Sequence, residues 1–244
     1  ALKILEQDDS DPELNNLIGS ILQKKENIKS LKFYRRALEN TKRKDITLNN
    51  IGTFFFEKRK INKAIKVFCK STLLNNHNSE AHINLAYALL LKKYFSLGWE
   101  KHEYRWKVDP LNKIEWPIND RELWTGQENK KIVLWREQGI GDDIIFLSLV
   151  PEAFKASKTL SVYIDPRLIT ICERSMPDIV FKKYTPGRFD GEEFDYHLPM
   201  GSLPRLFRNT EKDFDRVVTG YLKADPERVE LLRDELGVRK KKVI

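Results

Sequence analysis

Small and apolar positions in the first hundred residues recur with a period near 34. Gly52 and Ala86 are 34 residues apart, as are Ala64 and Gly98, and Gly19 precedes Gly52 by 33. Such a period is typical of stacked helix pairs, in which small residues at the crossing points let the helices approach closely. The pattern predicts three helix pairs, at 13–25 and 27–40, 46–58 and 61–74, and 80–92 and 95–106. Residues 1–7 are predicted to form the last helix of a preceding unit.

The second half alternates between strand-like and helix-like patterns. Strand character is strongest at 132–135, 160–164, 179–183 and 194–199, and helical patterns cover 142–157, 166–175 and 226–236, the last with Asp225 as its N-cap. Strands that alternate with helices predict an α/β domain with a doubly wound, mostly parallel sheet. Val243 and Ile244 have the pattern of a further strand start.

One turn in this half has the composition of a ligand-binding loop. Gly139 and Gly141 follow the apolar strand at 132–135, and Asp142 and Asp143 then stand at a predicted helix start. Strand, glycine turn and helix N-terminus form the ligand-facing corner of many open α/β sheets. The same residues also suit a plain connection in which a carboxylate caps the helix.

Charge and composition narrow the functional classes. The chain has 244 residues, 41% of them hydrophobic, and a net charge of +8, which favours a polyanionic partner. The charge looks dispersed, and its one dense run, at 239–242, suits a solvated linker. No apolar run reaches membrane-span length and the N-terminus lacks signal-peptide features, so the expected location is the cytoplasm. Cys69 and Cys172 are predicted to be reduced core thiols.

The 34-residue pattern resembles the tetratricopeptide repeat over residues 1–106. Pro12 is the only proline at a repeat boundary, where later units carry Asn76 instead. The resemblance implies an α-solenoid whose concave face binds a protein or peptide partner. Asn50 and Asn84 match the inner-helix position at which some arrays carry a peptide-gripping asparagine ladder, although Leu17 interrupts it. Solvated asparagines without a ligand are the alternative interpretation.

A second resemblance begins where the repeats end. Its elements are the GWEKHEYRW helix at 98–106, Trp116-Pro117, Trp124 with Gly126, the stretch KIVLWREQGIGDDIIF and the segment DYHLPMGSLP. Together they resemble a bacterial family that joins tetratricopeptide repeats to a GT-B glycosyltransferase similar to the heptosyltransferases. The implied fold is an α-solenoid (1–108), a junction (109–130) and the Rossmann-like N-terminal half of a GT-B fold (131–244). Four tryptophans near the junction are predicted to pack as a core: Trp99, Trp106, Trp116 and Trp124.

The resemblance also implies a catalytic loop. By motif match, Asp142 corresponds to the aspartate proposed as general base, Gln138, Gly139 and Gly141 shape the loop, and Asp143 is the weaker candidate. The family's reaction needs no bound metal and no cofactor besides its nucleotide-sugar donor. A plain N-cap remains the alternative for Asp142. His197, at a predicted strand end, either faces the cleft or is structural.

Two functions from different classes follow. The first is a glycosyltransferase that moves a sugar from a nucleotide sugar to a protein or glycan acceptor presented by the repeats. The second is a non-catalytic interaction scaffold. Because GT-B enzymes bind the donor mainly through a second domain, the sequence is expected to be an inactive fragment of a longer protein. Nucleic acid binding would rest on charge alone and is not expected.

Overall fold

The computed structural model describes residues 11–25, 28–108, 122–137, 139–186, 189, 191, 193–215 and 220–237. The predicted helix at 1–7, Trp116, Gln138 and the strand start at 243–244 lie outside the described residues. The chain divides into two compact units, Ala1–Lys113 with Arg208–Asp213, and Ile114–Phe207 with Phe214–Ile244. No helix in the described part of the chain is long and apolar enough to cross a lipid bilayer.

The first unit is an array of three antiparallel helix pairs, as the period predicts. Its helices are α1 (Pro12–Lys24), α2 (Ser30–Asn40), α3 (Lys44–Glu57), α4 (Ile61–Leu74), α5 (Ser79–Leu91) and α6 (Phe95–His102). The predicted extension of the sixth helix to residue 106 is wrong, because a 3₁₀ turn occupies Glu103–Lys107. There the Arg105 guanidinium donates a hydrogen bond to the backbone carbonyl of His102, 3.2 Å away, and so satisfies a carbonyl at the end of α6.

Small residues mark the crossings between paired helices. A Cβ added at Gly19 would lie 2.5 Å from the Tyr34 ring, and one at Gly52 would overlap the ring of Phe68. Both rings are almost completely buried. The predicted small residues at the crossing points are therefore confirmed for the first two helix pairs.

Asp45 connects the second helix pair to the third. Its buried carboxylate accepts hydrogen bonds from the side-chain amides of Asn75, at 2.9 Å, and Asn78, at 3.0 Å. The Ser71 hydroxyl donates to the Asp45 backbone carbonyl. Asn78 also caps α5 by accepting from the N–H of Ala81. One carboxylate thus organises the turn that leads from α4 into α5.

The second unit is built on a four-stranded parallel sheet in the order β3-β2-β1-β4. Its elements are β1 (Lys131–Trp135), α7 (Ile140–Leu147), α8 (Val150–Ala156), β2 (Thr159–Ile164), α9 (Pro166–Ser175), β3 (Val180–Lys183), β4 (Tyr196–Pro199), α10 (Leu203–Phe207) and α11 (Pro226–Glu235). Asp225 caps α11, as predicted. The single helix predicted at 142–157 is wrong: Pro151 has no N–H to continue the hydrogen-bond ladder, and two helices form.

The two faces of the sheet have different coverings. Ile132 and Leu134 of β1 belong to one cluster with buried side chains of α7, α8, α9 and α10, among them Cys172, and with Trp124, which precedes β1. The residues that alternate with them, Val133 and Trp135, face the other way. In the described residues that second face is lined by Trp135 and by Tyr163, Phe189, Phe194 and His197. Cys172 and Trp124 are thus core residues, as predicted.

Glycine substitutions should distinguish a crossing point from an open helix start. We expect Gly52→Ala to destabilise the repeat array by about 1–3 kcal/mol, because the new methyl group overlaps the buried Phe68 ring. The matched control is Gly141→Ala in α7, where nothing lies within 4 Å of an added Cβ. It should gain up to about 1 kcal/mol of helix stability. Urea unfolding of both variants checks this, and equal effects would contradict it.

Candidate functional site

The candidate site lies at the carboxyl ends of β1 and β4. The chain first adds strands on one side of β1, as β2 and β3, and then places β4 on the other side. The point at which strand order reverses in this way is where open α/β sheets form a crevice for ligands. Arg136, Glu137 and Gly139 follow β1 at this point, and Met200–Ser202 follow β4. The glycine turn singled out from the sequence therefore lies at the switch point of the sheet.

Asp142 combines a capping role with an available oxygen. Gly139 is the N-cap of α7, and its N–H donates to Oδ2 of Asp142 at 3.1 Å. Asp142 is half-buried, and no described residue donates to its other oxygen, Oδ1. Gly139 and Gly141 are exposed. The geometry accommodates both sequence interpretations, because the cap uses one oxygen and leaves the other for a ligand.

Asp143 is turned away from the loop surface into an ion-pair network. It is 1% exposed, and its carboxylate lies 3.1 Å from Nε of Arg136. Arg136 also donates to Asp165, which caps α9 and binds the guanidinium of Arg167. Burial raises the pKa of Asp143 to about 6, although the Arg136 guanidinium opposes the shift. Hydrogen bonds from Arg167 instead hold the pKa of Asp165 well below its usual range. The network fixes the start of α7 to the ends of β1 and β2.

The raised pKa of Asp143 predicts a pH dependence of stability. The folded protein holds this proton more tightly than the unfolded chain, so its stabilising effect is lost as pH rises from about 4 to about 6. Between about pH 3 and about pH 7, the unfolding free energy of wild type relative to Asp143→Asn should fall by about 3 kcal/mol in total, most of it inside that window. Urea unfolding at several pH values measures this, and hydrogen exchange in β1 identifies the transition of this unit.

Asp178, an exposed carboxyl in a turn, provides the control for loss of one negative charge. The pH dependence of Asp143→Asn should diverge from that of Asp178→Asn, which carries the same change of net charge. An Asp143→Asn variant that parallels Asp178→Asn would contradict the predicted titration.

Glu137 is a site residue that the sequence interpretation missed. Its Oε1 accepts a hydrogen bond of 2.7 Å from the N–H of Gly201, across the switch point. A Cβ on Gly201 would lie 2.6 Å from the same oxygen, so a larger residue there would displace the Glu137 carboxylate. The sequence feature that could have identified Glu137 is its position as a third carboxylate directly after β1, in the motif REQGIGDD. Its partner is 64 residues away, and a sequence motif does not indicate such a contact.

The predicted asparagine ladder has one interaction that its spacing did not indicate. Asn50 and Asn84 lie on the inner helices α3 and α5 and are half-buried. The Asn84 side-chain amide donates to Oδ1 of Asn49 at 3.0 Å. In the same manner Asn16 of α1 donates to Thr47 of α3. The amide of Asn84 therefore bridges neighbouring inner helices, and Asn49 is the residue that the sequence analysis overlooked.

His197 lies inside the second unit. It is 1% exposed, and the Trp135 indole N–H donates to its Nδ1 at 3.0 Å. The Phe189 and Phe194 rings lie close to its imidazole. Of the two interpretations drawn from the sequence, this environment matches the structural one.

Comparisons with known proteins give limited similarity. No family model matches the chain. It is 26% identical over 149 residues to Protein FlbA of Caulobacter vibrioides, covering 54% of this chain and 25% of that protein. The chain thus spans about a quarter of the length of this curated relative.

Two solved structures are also similar. One is PilF of Pseudomonas aeruginosa, with a TM-score of 0.38, 23% identity, and coverage of 43% of this chain and 49% of that one. The other is a mutant of the Thermobaculum terrenum O-GlcNAc transferase, with a TM-score of 0.38, 17% identity, and coverage of 96% of this chain and 39% of that one.

Proposed function

We propose that this chain is part of a glycosyltransferase of the GT-B type, in which the α/β unit binds the acceptor and the helical repeats bind a protein or peptide partner. The observation that carries the proposal is the position of the Gly139–Asp142 loop at the switch point between β1 and β4. The sequence motifs around this loop, which resemble a repeat-containing glycosyltransferase family, support the same function.

Asp142 is the general base in this proposal. Its Oδ1 takes the proton of an acceptor hydroxyl while the acceptor oxygen attacks the anomeric carbon of the donor sugar. The nucleotide leaves with the electrons of the bond that joined it to the sugar. The backbone N–H groups at the start of α7 favour negative charge in the same place. Glu137, hydrogen-bonded to Gly201, holds the two loops of the crevice together. The nucleotide-sugar donor is the only other reactant.

The repeat array selects the partner in this proposal. Asn50 and Asn84, which lie on inner helices, bind this partner. The partner or acceptor is a protein or a glycan.

The second candidate function is a non-catalytic scaffold. It is favoured by one observation, namely that Asp142 caps α7 and so has a structural reason to be present.

The experiment that tests the proposal is nucleotide release by the natural full-length protein, with a panel of nucleotide sugars. Release that rises when an acceptor preparation is added supports sugar transfer. Absence of release with every donor, from a protein whose cooperative thermal unfolding shows that it is folded, would favour the scaffold. Partner binding is tested separately by affinity capture. A partner that the wild type captures and that variants of Asn50 and Asn84 lose would support it.

A further inference from the structure

The net positive charge of the chain is concentrated in the repeat array. Residues 1–108 carry 21 Lys and Arg against 12 Asp and Glu, whereas residues 109–244 carry 23 against 24. The net charge of +8 therefore belongs to the repeats, although it looks dispersed along the sequence. Basic residues that are confined to one folded unit can form a charged binding surface. Their positions on the helices determine whether they do so.

The basic residues follow the 34-residue period of the helices. In the turn inside each helix pair, Lys24, Lys58 and Lys92 occupy equivalent positions, and so do Lys25, Arg59 and Lys93. The outer helices repeat the pattern: Lys29 at the N-cap of α2, with Lys32 and Arg36 on it, corresponds to Lys63, Lys66 and Lys70 on α4. Apart from the half-buried Arg36, all of these residues are exposed. We call the six positions on α2 and α4 the basic face.

Helical geometry places these residues in rows. Spacings of three and four residues bring Lys63, Lys66 and Lys70 onto one side of α4, and the equivalent residues onto one side of α2. The buried positions of α4, such as Ala64 and Phe68, are on the side that packs against the other helices. No carboxylate among the described residues pairs with Lys32, Lys66 or Lys70. The acidic residue that continues the row on α2 is Glu39, and the equivalent position on α4 is Leu73.

Aliphatic side chains accompany the charge. Leu73 is 84% exposed and Leu74 61% exposed at the end of α4, and Ile28 is exposed just before α2. Surfaces that bind single-stranded nucleic acid combine basic residues with aromatic rings that stack on bases. In the described part of this face, the strongly exposed apolar side chains are instead leucine and isoleucine. Basic residues with exposed aliphatic side chains are the composition of a surface that lies on anionic lipid headgroups.

We propose that the basic face of α2 and α4 docks the protein peripherally on an anionic lipid bilayer. The ammonium groups bind lipid phosphates and carboxylates, and Leu73 and Leu74 enter the headgroup region. This inference does not depend on sugar transfer, because it concerns the repeat array alone.

The test is co-sedimentation of the protein with vesicles of phosphatidylcholine containing about 30% phosphatidylserine. We expect binding at low salt that is absent with pure phosphatidylcholine. The triple variant Lys32→Glu, Lys66→Glu, Lys70→Glu should bind at least about 100-fold more weakly, since each lysine near an anionic surface contributes roughly fivefold and the glutamates are also repelled. Raising the salt to about 0.5 M should also weaken wild-type binding.

A second triple variant provides the matched control: Lys155→Glu, Lys158→Glu, Lys223→Glu changes the net charge equally at exposed sites in the α/β unit. It should retain vesicle binding. Equal losses in the two triple variants would overturn the proposal, as would absence of binding to anionic vesicles at low salt. Displacement from vesicles by an equal concentration of duplex DNA would show that nucleic acid is the preferred ligand and would also overturn it.

Discussion

Replacement of Asp142 by asparagine is expected to lower sugar transfer by the natural full-length protein by about 10²- to 10⁴-fold, the usual contribution of a general base. The amide cannot take the proton of the acceptor hydroxyl. It can still accept the hydrogen bond from Gly139 N–H, so α7 should keep its cap. Initial rates at saturating donor and acceptor measure the effect on the chemical step.

The matched control is Asp225→Asn, the same substitution at another helix cap. Asp225 accepts hydrogen bonds from the N–H groups of Glu227 and Arg228 at the start of α11. Its replacement should leave transfer unchanged. If Asp142→Asn is as active as wild type while both variants remain folded, Asp142 is not the base and its role is structural.

Asp45→Ala should have the largest effect on the stability of the repeat array. The substitution leaves the half-buried amides of Asn75 and Asn78 without their acceptor and removes a carboxylate that is only 5% exposed. Leaving donors of this kind without their acceptor costs about 1–3 kcal/mol each. Circular dichroism during urea unfolding of the wild type and the variant measures the change.

Asp11→Ala provides a comparison within the same unit. Asp11 caps α1 through the N–H groups of Glu13 and Leu14, and both of these hydrogen bonds are exposed. We expect a cost of about 1 kcal/mol, as for an ordinary N-cap. Equal costs for the Asp11 and Asp45 variants would show that the contacts of Asp45 with the following turn add no stability.

Local and periodic features account for what the sequence predicted well. The 34-residue spacing depends on contacts such as Gly52 with Phe68, which has its equivalent in Gly19 with Tyr34 and is therefore visible as a pattern. Helix and strand limits follow from capping and from apolar runs, which are properties of a few neighbouring residues. The break between α7 and α8 was readable in principle, because Pro151 stands inside the predicted helix.

Contacts made across the sheet were not predictable in this way. Glu137 meets Gly201, and Arg136 lies between Asp143 and Asp165, only because β4 and β2 lie on opposite sides of β1. Strand order arises from the packing of the whole unit and leaves no mark on residue spacing. The glycine loop could therefore be identified from its motif, but the neighbours that hold it could not.

The array has two chemically different seams between its repeats. Between the first and second pairs, the half-buried bond of Asn16 with Thr47 joins neutral groups, and the carboxylate of Glu57 binds Gln23 only at an exposed position. The turn into the third pair depends instead on the buried, ionised carboxylate of Asp45. Burial opposes that ionisation, but hydrogen bonds from Arg43, Asn75 and Asn78 outweigh it and keep the pKa of Asp45 below its usual value. In a linear array stability passes between nearest neighbours. Acidification below about pH 4 should thus uncouple the third repeat first and unfold the array from that end.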